Sequence, residues 1–331
     1  MLDFLGWSSA ALAAATTVTI AVLAARRIRL GQRERRRQNR ERELRPFALA
    51  LLDGEKPPAL GLRDAETLAA IVARYAASVR GDVRGEIARF FEEVGAVDAA
   101  LSTLRARKAW RRAAAAFSLG DMASPRAVPA LIDGLADDHR DVRAACARSL
   151  GRLGHASAVE PLVRALVGRE LPYGVAGHAL IQIGEAALPP LRSLVVHEDS
   201  AIRDAAVELV GVLGTPADAT LLVGRLRDTS AEVRAGAARA LGRLAAEDAA
   251  AAVRAALDDR IPFVRAAAAR ATGDIGDRAS AAILERVAAT DAFVPAQAAA
   301  RALARLDPDA LLRSADRGAH IDEFADRVRV A

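Results

Sequence analysis

The stretch Val142-Arg-Ala-Ala-Cys-Ala-Arg-Ser-Leu-Gly-Arg-Leu-Gly154 decides the fold, because the chain says it again and again. Ile202-Arg-Asp-Ala-Ala-Val-Glu-Leu-Val-Gly-Val-Leu-Gly214 stands 60 residues on, and copies opening at Val233 and Val264 follow at steps of 31. A skipped unit opens near Pro172 and ends at Ile183-Gly184. Upstream, Arg111-Arg112 through Leu119-Gly120 lies one period earlier, and Val83-Arg84 through Val94-Gly95 is a more divergent copy. Downstream, Val294-Pro295 to Leu306 is a degraded last one, which makes about eight units.

Each unit reads as two helices. In the first, Val142, Ala145, Cys146, Ser149, Leu150 and Leu153 recur at three- and four-residue steps, a single apolar stripe. Gly151 and Gly154 are read as its left-handed terminal punctuation. The second helix opens after a small-residue turn, at Val128-Pro129, Val159-Glu160-Pro161 or Ser280-Ala281, and carries Leu131, Ile132 and Leu135 or Leu162, Val163 and Leu166. Alanine dominates because narrow side chains let helix axes approach and cost least in helix propensity. One pair cannot cover its own stripe, so neighbours must stack.

The pattern Asp-x-x-x-x-Val-Arg-x-x-Ala followed by Ala-Leu-Gly-x-Leu-Gly resembles the HEAT repeats of bacteria, in the short form known from phycobilisome lyases. It stands at Asp137…Val142-Arg143, Asp228…Val233-Arg234 and Asp259…Val264-Arg265. The resemblance implies an all-α, right-handed α-α superhelical solenoid of about eight helical hairpins. It says little of function, since scaffolds, lyases and hydroxylases share the fold.

Around this array the chain divides into an N-terminal apolar span (1–28), a basic helix and linker (29–58), a capping helix (59–82), the repeats (83–310) and a C-terminal cap or tail (311–331). Residues Ser8 to Ala25 carry no charge, with Phe4 and Trp7 at one edge and Arg26, Arg27 and Arg29 at the other. Roughly 18–24 apolar residues match a bilayer's hydrocarbon thickness. A cleaved signal would put its cations before the apolar run, and a core helix would lack the arginines after it. The expectation is therefore one retained transmembrane helix in the inner membrane, N-terminus outside and repeats in the cytoplasm, with Arg26, Arg27, Arg29, Arg33, Arg35, Arg36 and Arg37 against anionic lipid. In the capping segment, Glu55-Lys56-Pro57-Pro58 breaks the chain and Asp64 is read as the cap of a helix whose Leu68, Ile71, Val72, Tyr75 and Val79 share a face. In the tail, Ile321, Phe324 and Val328 would cover the last repeat.

Composition excludes much chemistry. The chain has 331 residues, a net charge of +5 and 4% aromatics. Ten arginines and three glutamates fall between Arg26 and Arg45, leaving 37 basic and 39 acidic residues elsewhere, so no basic groove for nucleic acid runs along the repeats. Cys146 alone makes neither a disulfide framework nor a cysteine metal site, and its place on an apolar stripe predicts burial. His197-Glu198 is the one His-Glu dipeptide, whereas the resembling di-iron hydroxylases need several such pairs on symmetric repeats. His178 is read as a packed or partly exposed helical side chain, and His139 and His155 as turn residues. Phosphate-binding loops and nucleophile elbows are absent, and no cofactor is expected.

Arg112, Arg143, Arg203, Arg234 and Arg265 recur at one repeat position, and Asp137, Asp228 and Asp259 at another; they are read as a structural hydrogen-bonding ladder that fixes stacking. The functional expectation is a membrane-tethered scaffold that binds a protein partner along its groove. The alternative is a lyase-like enzyme holding a bulky, tetrapyrrole-type ligand near Tyr173, His178 and His197.

Overall fold

Helix α7 (Arg140–Leu153) shows how the repeated unit is built. His139 has extended backbone, and its ring accepts a hydrogen bond from the Asp141 amide, filling the place of an N-cap side chain. At the other end Gly154 turns left-handed at φ 68°, and its N–H closes on the Leu150 and Gly151 carbonyls. Between these signals Val142, Ala145, Cys146, Ser149 and Leu150 are buried, the stripe that the periodicity gives. A short 3-10 turn then leads into α8 (Val159–Val167), which buries Leu162, Val163 and Leu166 and packs against the next first helix, α9 (Tyr173–Ile183).

The computed structural model describes residues 23–24, 26–27, 31–32, 35, 38–58, 60–76, 83–309 and 311. All regular structure among them is helical. The chain forms two compact units, Met1–Arg105 with Asp121–Ser124, and Ala106–Gly120 with Pro125–Ala331.

The first unit holds α1 (residues 38–52), α2 (Leu62–Ala76), α3 (Val83–Glu93) and α4 (Ala96–Thr103). Leu44, Ala48 and Leu51 of α1, Leu68, Ile71 and Val72 of α2, and Ile87, Phe90 and Phe91 of α3 supply its core. The non-helical run 55–58 separates α1 from α2, but Asp64 is not the cap: α2 starts at Leu62, and Asp64 instead accepts two hydrogen bonds from Arg40, at 2.8 and 2.5 Å.

The second unit is a stack. Its helical pairs are α5 (Ala109–Asp121) with α6 (Val128–Asp133), α7 with α8, α9 with α10 (Leu188–Leu194), α11 (Ser200–Leu213) with α12 (Ala219–Val223), α13 (Ala231–Arg243) with α14 (Ala250–Ala255), and α15 (Pro262–Ile275) with α16 (Ala281–Thr290). α17 (Phe293–Leu306) is a further first helix. The recurring helical glycine has a role that its reading as punctuation missed. A methyl group on Gly151 would stand 2.7 Å from the Cα of Ala179 on the next first helix. The same holds for Gly211 against Ala240 (2.7 Å), Gly242 against Ala271 (2.8 Å) and Gly273 against Ala302 (3.1 Å). Any side chain there would push successive helices apart, so Gly151 belongs to helix packing and only Gly154 to helix termination.

One joint departs from this. At the register position of Gly151, α9 carries Ile181, and Leu209 of α11 stands where its neighbours have alanine or serine. The Leu209 side chain lies over Gly177, where a methyl group would be 3.2 Å from its Cδ2. The α9 and α11 backbones accordingly run within contact range over a much shorter stretch than those of α7–α9 or α11–α13.

The expected single-pass placement in the inner membrane, with the bilayer as a partner, is corrected. No helix among the described residues is long and apolar enough to cross a membrane. α2, for example, has 15 residues, reaching about 22 Å at 1.5 Å per residue, and bears charges along its length. The predicted span 8–25 and the tail 312–331 lie outside the described residues except for 23–24. Of the seven arginines assigned to lipid, Arg26, Arg27 and Arg35 are helical and exposed, while Arg29, Arg33, Arg36 and Arg37 lie outside the described residues.

Candidate functional site

The repeated arginines stand near the start of each first helix, one residue after a buried branched side chain such as Val233 or Val264, which points them along the stack rather than into it. Arg203 donates from Nε and Nη2 to both carboxylate oxygens of Asp228 at 2.8 and 2.7 Å, and from Nη1 to the carbonyls of His197 and Glu198. Arg234 makes the same fork to Asp259 at 2.6 and 2.9 Å, with Nη1 on the Asp228 and Thr229 carbonyls. Arg112 grips Asp137 at 2.7 Å twice, and Arg265 grips Asp291 at 2.5 Å twice. Such two-point pairs combine charge with a fixed angle.

Each aspartate serves the following repeat as well. Asp137 accepts the His139 N–H, Asp228 the Ser230 N–H and Asp259 the Ile261 N–H, just before the next first helix begins. A guanidinium therefore ties the loop before its own helix to the loop that starts the next one. The Arg112 guanidinium holds the Asp137 carboxyl below the usual carboxylate range, as Arg265 does for Asp291. At Asp228 and Asp259 burial pushes the carboxyl up, but the arginine and backbone hydrogen bonds outweigh it and the net direction is down.

Arg143 differs from the other four. Its hydrogen bonds go to the carbonyls of Asp137, Asp138 and Glu170, because Gly168 occupies the place of the next aspartate. On α9 the arginine itself is missing, with Tyr173 in its place, and Asp199 is held from the loop by Arg169. Two consecutive clamps are thus broken, one for want of an acceptor and the next for want of a donor. Asp291 is a ladder member that sequence reading omitted, since the last copy is degraded around it. Its 26-residue offset from Arg265 was the available signal.

The residues considered for a bulky ligand do not share a face. Tyr173 opens α9 and His178 follows five residues later, so the side chains leave the helix roughly 140° apart. His178 is exposed, and His197 accepts the Asp199 amide at 3.0 Å in the loop before α11. His155, like His139, accepts a backbone N–H at a helical start. Cys146 is fully buried, and burial pushes its thiol up to about 12. Among the described residues no group of histidine, cysteine, aspartate and glutamate side chains is placed to hold a metal ion.

The second helices offer a different surface. Between α12 and α14 lies a groove of about 380 Å³ whose floor is Val223, Leu226, Ala252 and Ala256, with Arg227 and Asp258 at its edge. Their outward positions are small: Thr220, Gly224, Ala251 and Ala255 are all exposed.

The family comparison agrees with this architecture. The family described as HEAT repeats matches residues 97–181 and 225–304. Among solved structures, importin beta superposes with a TM-score of 0.50 at 14% identity, over 79% of this chain and 48% of its own. Human deoxyhypusine hydroxylase is similar at 21% identity and a TM-score of 0.33, covering 82% of this chain and 98% of that one. The CpcE–CpcF phycocyanin lyase complex from Nostoc gives 21% identity and a TM-score of 0.30, over 82% and 97%. No functionally curated protein sequence matches the chain. Over residues 97–181 and 225–304 the paired helices of this protein, stacked through Arg–Asp clamps and glycine-to-alanine contacts, match HEAT repeats.

Proposed function

We propose that this chain is a protein-binding scaffold of the short bacterial repeat type, which seats its partner on the surface formed by the second helices. The observation that carries this reading is the groove between α12 and α14. Its apolar floor, low rim of small side chains and flanking Arg227 and Asp258 have the anatomy of a protein interface, dry at the centre and polar at the edge. The clamps support it from behind. They engage the regularly spaced charges in holding one repeat to the next, so these charges shape the surface, and Asp259 of the Arg234 clamp also lines the groove.

The test is capture from lysate of the source cells by the full chain, followed by the same capture with Ala252→Glu and Ala255→Arg. A partner recovered by the parent chain and lost by the pair, with helical content unchanged, is the expected result. Equal recovery by both would remove the groove as the binding surface.

A further inference from the structure

First helices stack along one side of the second unit and second helices along the other, so each pair meets the next at two edges. Arg–Asp forks are distributed unevenly between these edges. From α11–α12 to α13–α14 the fork lies at the first-helix edge, Arg203 on Asp228. From α13–α14 to α15–α16 both edges are forked, by Arg234 on Asp259 and by Arg254 on Asp277 at 2.9 and 2.7 Å. From α9–α10 to α11–α12 the fork lies at the second-helix edge instead. There Arg192 donates to both oxygens of Asp218 at 2.6 and 3.2 Å. Asp218 is only 5% exposed and also accepts the Thr215 N–H at 2.9 Å.

The first-helix edge of that joint is the loose one. Tyr173 stands in the arginine's place, Ile181 replaces the close-approach glycine, and Leu209 lies over Gly177. Arg169 reaches Asp199 across it through one N–H at 2.5 Å, and this arginine is 64% exposed, so water screens the pair and its hold is small. The preceding joint also lacks a fork, but it keeps Gly151 against Ala179 and Arg143 on the Glu170 carbonyl.

We infer that this joint is a pivot. The blocks α5–α10 and α11–α17 swing about the Arg192–Asp218 fork, which opens and closes the first-helix edge between α9 and α11. A two-point guanidinium–carboxylate pair fixes both distance and angle, so it resists sliding at its own edge. Leu209 on a bare glycine is a contact without direction, and Gly177 has no side chain to interlock with it. Motion is thereby reduced to rotation about one edge, the geometry of a hinge. The α12–α14 groove lies wholly within one block, so its shape is independent of the swing.

Spin labels on the full chain, in a Cys146→Ala background, test this through label-to-label distance distributions. Arg148→Cys with Val212→Cys crosses the joint on the first helices, and Val212→Cys with Arg270→Cys spans two joints beyond it. Glu160→Cys with Thr220→Cys crosses it on the second helices; all of these positions are exposed. Each pair stands two repeats apart, about 20 Å for packed helices. The expected distribution is about twice as broad for the first pair as for the other two. Ile181→Gly with Leu209→Ala restores the pattern of the neighbouring joints and should narrow the first distribution to the width of the second. Arg192→Met should broaden the third. Equal widths for the three pairs, or a third as broad as the first, would overturn the pivot. So would an unchanged first width in the restoring variant with its helical signal intact; if that variant loses helix, the comparison of pairs in the otherwise unaltered chain decides alone.

Discussion

Asp204 and Asp137 are both partly buried aspartates of the repeat unit, and their surroundings push them in opposite directions. At Asp137 the guanidinium of Arg112 favours the charged form. At Asp204 burial, with Glu208 adding to it, favours the neutral form, and one carboxylate oxygen is buried without a hydrogen-bond partner. Two predictions follow from this contrast. For the clamped aspartates the folded-state value lies below the ordinary 3.8, so their contribution is complete above that pH and is lost as pH falls through the lowered values. Denaturant midpoints should therefore drop steeply below about pH 4, and Arg265→Met should flatten that drop. Asp204 works the other way: charged at neutral pH against its surroundings, it destabilises the fold there. Asp204→Asn should raise stability at pH 7 by about 0.5–1.5 kcal/mol, a gain that shrinks on acidification. Urea titrations at pH 7 and pH 4 measure both.

At the scale of the helix, the weak joint is the one between α9 and α11. Its neighbours are held by a close-approach glycine, by an Arg–Asp fork, or by both. This joint has Ile181 at the close-approach position, Leu209 over Gly177, and Tyr173 where the arginine should be. Amide exchange should be faster along α9 than along α13, whose flanking joints are both clamped. Gly174→Arg places a guanidinium 25 residues before Asp199, the same offset as Arg203 to Asp228, and a methyl group at Gly174 meets nothing within 4 Å. This substitution should slow exchange in α9 and stabilise the unit by about 1 kcal/mol, helped by removing a helical glycine. No change in exchange would mean that the joint is held by its side chains alone. Much of this was readable beforehand. The Val-Arg and Asp registers give the repeat, its two helices and the clamp residues, because packing and charge pairing both recur at a fixed spacing. The partner of each clamp was not readable, since Asp137 lies beside Arg143 in the chain but answers to Arg112. Nor was the task of Gly151, because termination and close approach both call for glycine.

For the molecule as a whole, stability is a matter of stacking, and the single thiol reports on it. Cys146 sits on the buried face of α7, so it reacts only when that part of the stack opens. Its labelling in native conditions should be slower than that of a free thiol by the opening constant, and should accelerate in urea along with loss of helical signal. Labelling well before the helical transition would show that the array comes apart in pieces, as a quasi-linear stack permits. The proposed binding groove lies on the surface of this stack.

The direction of the clamps has a consequence for biosynthesis. Every guanidinium belongs to the earlier helix and every carboxylate to the later loop, so an aspartate leaving the ribosome meets an arginine that is already seated. Each hairpin that opens on a clamped aspartate inherits a template for its first turn, and there the array can grow link by link without waiting for the end of the message.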